Sequence, residues 1–194
     1  NILWNLHKLL INLAVENKIN PYKLDGKRIH RVMDMEERYM ISKLHSTLRK
    51  VTELLEAYRL DETIAPMEEL FFELSRTYIQ MVRDKSSIGE EEEKEKVIYT
   101  LGHVLLETLK QFSIVAPFIC EAMYLNLRQE FKLKEESLSH FNWTSLDSRK
   151  INEKLEGNML QIQDILQAAL HAREKARLGL RWPVKELVIA STNV

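Results

Sequence analysis

The stretch His171–Lys185 reads His-Ala-Arg-Glu-Lys-Ala-Arg-Leu-Gly-Leu-Arg-Trp-Pro-Val-Lys, and it gathers the side chains best suited to holding a phosphate-bearing partner. Arg173 and Arg177 stand four residues apart, which places them on one face of a helix, with Lys175 between them. Arg181 and Lys185 continue the positive charge beyond Gly179, opposed only by Glu174. Guanidinium groups supply bidentate contacts to phosphate. Trp182 follows Arg181 directly, and an aromatic in a basic patch can stack on an unpaired nucleic-acid base, for about 1–3 kcal/mol per base. A plainer reading stands beside this one. Cations gather at helix C-termini because the helix dipole favours them, and Trp182 could equally pack with Pro183 against a helix. A second constellation is Arg76, Tyr78, Arg83 and Lys85. The seven-residue spacing of Arg76 and Arg83 puts them on one helix face, while Tyr78 fits the apolar stripe with Leu74 and Val82.

Other chemistries find no support. None of the six histidines has Glu three residues before it, the spacing of di-iron bundles, and there is neither Cys-x-x-Cys nor His-Glu-x-x-His. Five scattered glycines cannot form a phosphate-cradling loop. Cys120, the only cysteine, follows Pro117 among apolar neighbours and reads as a buried thiol. It excludes an intrachain disulfide and suits a reducing compartment. No catalytic residue and no metal ligand is predicted in the chain.

These residues must be positioned by helices. Five glycines and four prolines in 194 residues are too few to punctuate many short strands. A first helix over roughly residues 1–16 carries Ile2, Leu6, Leu9, Leu10 and Leu13 at helical spacing. Asn1–His7 lacks an initiator Met, a basic segment and a cleavage site, so it reads as a helix entered from upstream chain. A loop follows. Asp34 with Glu37 forms a capping box for a second helix, whose stripe is Met40, Leu44, Leu48, Val51, Leu55 and Tyr58. Asp61 is a candidate cap for a third helix through Leu70, Phe71, Leu74, Tyr78 and Val82, with Pro66 in its first turn or at a kink. A polar turn at Asp84–Gly89 precedes Glu90–Glu93, acidic residues that open a fourth helix carrying Val97, Leu101, Leu105 and Phe112. Pro117 starts a fifth, to about Phe131, and a loop with Ser137–Trp143 leads to the longest helix, from about Arg149 to a stop at Gly179. Val184–Ala190, short and β-branched, reads as a strand.

Net charge is −1, so no global field draws the molecule to polyanions. The charge is nonetheless divided: residues 1–50 sum to +5, residues 51–130 to −8 and residues 131–194 to +2. A polyanion-facing surface should therefore draw on the two ends rather than the middle. No apolar run reaches the ~18 residues that a membrane helix needs.

Several blocks, in order, resemble the anticodon-binding region of class I aminoacyl-tRNA synthetases of the isoleucine, valine and leucine group. They are Asn1–Leu10; Met35–Leu44, where Tyr39 stands in place of the family's usual Trp; Tyr58–Ile64; Leu74–Arg83; Ala116–Tyr124 with its Ala-Pro-Phe; and Ser137–Trp143. Arg181-Trp182-Pro183 after a basic helix end is similar to the archaeal and eukaryotic isoleucyl type. The resemblance implies an all-α, antiparallel helical bundle of the anticodon-binding type, with the start of a small α/β appendage. It implies a connecting helix and loop at 1–33, the bundle at 34–148, and a long helix with the start of the appendage at 149–194. The implied task is gripping the anticodon arm of isoleucine tRNA in the cytoplasm, as a monomer, through Arg173, Lys175, Arg177, Arg181, Trp182 and Lys185, with Arg76 and Arg83 as lesser candidates. The resemblance assigns ATP and Mg²⁺ to the full-length enzyme's missing catalytic domain, leaving this piece no cofactor and no reaction of its own. The alternatives are the same domain of a valyl or leucyl enzyme, or a helical protein-interaction scaffold.

Overall fold

A computed structural model describes residues 2–189. Its elements are α1 (Ile2–Asn17), α2 (Gly26–Val32), α3 (Met35–Glu56), α4 (Ile64–Phe72), α5 (Ile79–Met81), α6 (Arg83–Ile88), α7 (Glu91–Phe112), α8 (Pro117–Phe131) and α9 (Glu153–Lys175). No strand occurs among the described residues, so the fold is all-α. The chain divides into two compact units, one through Ile151 and the other from Asn152 onward.

In the first unit local chemistry sets the helix starts. Asp34 and Glu37 close a capping box on α3, with the Asp34 N–H donating to Glu37 Oε2 at 3.1 Å. Glu90 and Glu93 repeat the device on α7, so the acidic run opens that helix through a cap as well as through its dipole. Pro117 occupies the first turn of α8, where its missing N–H costs nothing. The middle helix α7 packs against α1, α2, α3, α4, α6 and α8. Val97, Leu101 and Leu105 are buried along it, facing a core that includes Leu6, Leu10, Met40, Leu44, Leu70, Leu74 and Tyr78.

Close approach to α7 depends on Gly102. A Cβ there would meet Pro21 Cβ at 2.7 Å and Cγ at 3.0 Å. Alanine favours a helix interior over glycine by about 1 kcal/mol, but overpacking of this kind costs about 1–3 kcal/mol. Gly102→Ala is therefore expected to destabilise by up to about 2 kcal/mol in urea unfolding. Gly157→Ala on α9, with nothing within 4 Å of the new methyl, should change local stability in the opposite sense.

Several elements depart from the sequence reading. The loop after α1 contains the short helix α2, and the polar turn expected at Asp84–Gly89 is the helix α6. The expected third helix is interrupted. A 3-10 turn (Asp61–Thr63) precedes α4, Pro66 lies in the first turn of α4, and a π-helical stretch spans Glu73–Tyr78. Tyr58 leaves the α3 stripe: the helix ends at Glu56, and Tyr58 adopts a left-handed backbone with 89% of its surface exposed.

In the second unit, α9 begins at Glu153, with Asn152 Oδ1 accepting from Leu155 N, so Arg149 and Ile151 precede it. Of the strand expected at Val184–Ala190, residues 184–189 are irregular and Ala190 lies outside the described residues. β-branched composition cannot substitute for a neighbouring strand to complete a hydrogen-bond ladder. Instead Leu187, Val188 and Ile189 line a cavity of about 340 Å³ with Ile165, Ala168, Ala169 and Ala172 of α9.

Candidate nucleic-acid interface

The helix end before the basic segment stops on hydrogen-bond geometry rather than on Gly179. Arg177 N–H donates to Glu174 O at 2.9 Å and Leu178 N–H donates to Arg173 O at 2.9 Å. This pair of bonds closes a helix when the residue after the cap is left-handed, and Arg177 has φ 54. Glycine usually fills such a position, because a side chain there costs about 1–2 kcal/mol. Arg177 thus lies past the last helical residue, and the expected shared helix face with Arg173 does not form.

The two arginines have different tasks. One Arg173 terminal nitrogen (Nη2) donates to Gly179 O and Trp182 O, each at 2.6 Å, clamping the turn from Gly179 to Trp182 onto α9. Its Nε is shut off from solvent without a partner. Trp182 N–H donates to Gly179 O at 3.1 Å, which completes the turn. The Trp182 indole is 70% exposed. Lys175, Arg177, Arg181 and Lys185, all within seven residues of it in the chain, are exposed too. Arg173 is therefore a positioning residue, and the cations open to a phosphate are the other four.

The second constellation disperses. Arg76 lies in the π-helical stretch with its guanidinium 4.6 Å from the Phe72 ring centre. Arg83 opens α6 beyond a break at Val82, and both arginines are exposed. The π-helical stretch and the break intervene, so the seven-residue spacing no longer sets Arg76 and Arg83 on one face. Tyr78 is wholly buried in the core. Lys85 is turned inward, to Asp34 at 2.9 Å and Glu36 at 3.2 Å.

One arrangement had no counterpart in the sequence reading. In the first unit a groove of about 850 Å³ is lined by Asp25, Gly26, Lys27, His30, Arg31, Tyr99, Asp147, Arg149 and Lys150. Gly26 lets Tyr99 close over α2, since a Cβ there would lie 2.6 Å from the phenol oxygen. Tyr99 stacks on His103 (5.9 Å, 14°) and meets His30 edge-on at 5.7 Å. Burial, and then the field of Lys150, lower the pKa values of His30 and His45. Burial likewise takes His103 to about 4. The signal available in sequence was the basic run Lys27-Arg28-Ile29-His30-Arg31, which lay in a span assigned to loop.

Carboxylates of Asp34, Glu36 and Glu37 come within 4.8 Å of one another. Lys96 at 2.7 Å and Lys85 at 2.9 Å already occupy Asp34 Oδ2, so the group is an internal ion-pair network rather than a vacant cation site. Cys120 is fully buried, and burial pushes its thiol up to about 12, as an inert core thiol requires.

The sequence model for the anticodon-binding domain of tRNA ligases matches residues 37–189, which include both basic constellations. The chain belongs to the anticodon-binding domain family of tRNA ligases. The domain is 29% identical over its whole length to the isoleucine–tRNA ligase of Methanocella arvoryzae and 31% identical over its whole length to that of Thermococcus kodakarensis. Over 98% of its length it is 31% identical to the isoleucine–tRNA ligase of Methanothrix thermoacetophila. The chain spans 18% of the length of each of these relatives. No helix among the described residues of the anticodon-binding domain is long and apolar enough to cross a membrane.

Proposed function

We propose that this domain grips the anticodon arm of isoleucine tRNA, and that a catalytic domain elsewhere in a longer, cytoplasmic, monomeric ligase carries out ATP- and Mg²⁺-dependent aminoacylation. The observation that carries the reading is the exposed Trp182, held on a turn by Arg173, with four exposed cations within seven residues of it in the chain. Anticodon bases are unpaired, and unpaired bases are recognised by stacking on aromatic rings while guanidinium and ammonium groups hold the phosphates. Arg173 supplies the rigidity that stacking requires, because a loose indole would lose its ordering entropy on binding. Identity to isoleucine ligases supports the choice of tRNA.

Filter binding with isoleucine tRNA tests this. Trp182→Ala is expected to weaken binding about 5- to 150-fold, the equivalent of one lost base stack at about 1–3 kcal/mol. Arg177→Gly separates charge from structure. Glycine accepts the left-handed backbone, and the relief at least offsets its greater freedom in the unfolded chain, so stability should hold or rise by up to about 1.5 kcal/mol. RNA affinity should nevertheless fall, and the salt slope should drop by about 1. Equal affinity of the native chain for tRNAs with unrelated anticodons would sink the specific reading.

A further inference from the structure

We propose that the groove of the first unit, between α2 and the 147–150 loop, is a second RNA contact that binds the phosphodiester backbone. This rests on the tRNA reading above and extends it to a surface far in sequence from Trp182. Lys27 and Arg31 are four residues apart on α2, so they share one face. Lys150 comes from a loop fixed on two sides. Asp147 caps its 3-10 turn by accepting from Arg149 N, and Asp147 N–H donates to His45 Nδ1 of α3 at 3.4 Å.

The carboxylates in the groove are already committed. Asp147 takes Arg149 in a bidentate pair, Nε to Oδ1 at 2.9 Å and the terminal nitrogen to Oδ2 at 3.1 Å. Asp25 accepts from Lys27 N and caps α2. Among the described residues no carboxylate lies within ion-pairing distance of Lys27, Arg31 or Lys150. Three surface cations thus line one groove without a carboxylate partner, whereas Lys43, Lys85, Lys96 and Lys110 are each paired.

The groove floor suits a backbone better than a carboxylate-bearing small molecule. Both His30 ring nitrogens are shut off from solvent without a full hydrogen bond. Tyr99 and His30 are among the residues lining the groove, where a ribose or base can lie against them. Its cations come from residues 1–50 and 131–194, the two positively charged portions of the chain.

The test compares the native chain with Lys27→Gln/Arg31→Gln/Lys150→Gln, in tRNA binding over a KCl series and in the His30 ring NMR signal during titration with inorganic phosphate. Each lost phosphate contact lowers the slope of log K against log[salt] by about 0.7–0.9, so the triple variant should lose about 2–3 in slope. The pair Lys27→Gln/Arg31→Gln should lose about two-thirds of that. All these residues lie at the surface, so melting midpoints should not move. Trp182→Ala should weaken binding with the slope unchanged. Phosphate should shift the His30 signal in the native chain and not in the triple variant. A native slope retained by the triple variant overturns the groove while leaving the Trp182 reading intact, and a phosphate response without a slope change makes it a free-anion site rather than an RNA contact. No tRNA binding by the native chain overturns both.

Discussion

Asp34→Ala is expected to cost about 3 kcal/mol of stability. Two losses combine. The α3 capping box opens, for about 1 kcal/mol. Lys96, whose side chain is 7% exposed, then loses its carboxylate. Stranding a fully buried charge costs about 3–5 kcal/mol, and the figure here is lower because the Asp34 side chain is 45% exposed and water can reach the gap. Lys85 suffers less, since Glu36 remains 3.2 Å away. Asp34→Ala/Lys96→Met should recover most of the Lys96 part, because removing both partners of such a pair is close to neutral. Urea unfolding of the single and double variants checks this. A cost under about 1 kcal/mol, or no recovery in the double variant, would refute the account.

The same carboxylate gives a signed pH dependence. Hydrogen bonds from Lys96 and then Lys85 lower the Asp34 pKa below its ordinary 3.8. A depressed folded-state pKa contributes stability above the unfolded value, and that contribution is lost as pH falls through the folded one. Glu37 acts in reverse. Burial raises its carboxyl above 4.5, so ionising it costs stability at neutral pH, and the cost fades on acidification. In a Glu37→Gln background the acid loss attributable to Asp34 should therefore emerge more steeply below about pH 4.

Leu105→Ala should lower stability by about 2–5 kcal/mol, whereas Leu166→Ala should change it by less than about 0.5 kcal/mol. Leu105 is completely buried on α7, the helix against which most of the first unit packs, so truncation leaves a cavity in a dense core. Leu166 is 57% exposed on α9, and Leu160 and Ile162 beside it are exposed to 56% and 52%. Both leucines occupy the apolar stripe of a long amphipathic pattern and are equivalent as sequence. Thermal unfolding of the two variants distinguishes them, and similar midpoints would contradict the division of the chain into unequal units.

The starts of α3, α7 and α8 were legible because the groups that make them are local. Asp34 with Glu37, Glu90 with Glu93 and Pro117 each act within four residues. Two helix ends, expected near residue 16 and Phe131, fall at Asn17 and Phe131, but those of α3 and α9 were not legible. Lys18, Tyr58, Lys132 and Arg177 all take left-handed backbones where glycine would have announced the stop. At each, a hydrogen bond back to the preceding turn holds the conformation despite the side chain. The seven-residue α2 is too short to nucleate by itself, and packing against α7 decides it.

Residue types and spacing by themselves determined the helical class, the capping devices, the stripe that became the α7 core and the location of the Arg/Lys/Trp cluster. Only the tertiary structure decided which cations are available. Arg173 and Lys85 are consumed by internal carbonyls and carboxylates, while Lys27 and Arg31 meet Lys150, more than a hundred residues away in the chain, on one groove. The physical reason is range. Caps and helical periodicity are fixed by neighbours a few residues away, whereas a charge is neutralised or left open by whichever group the folded chain brings within about 4 Å.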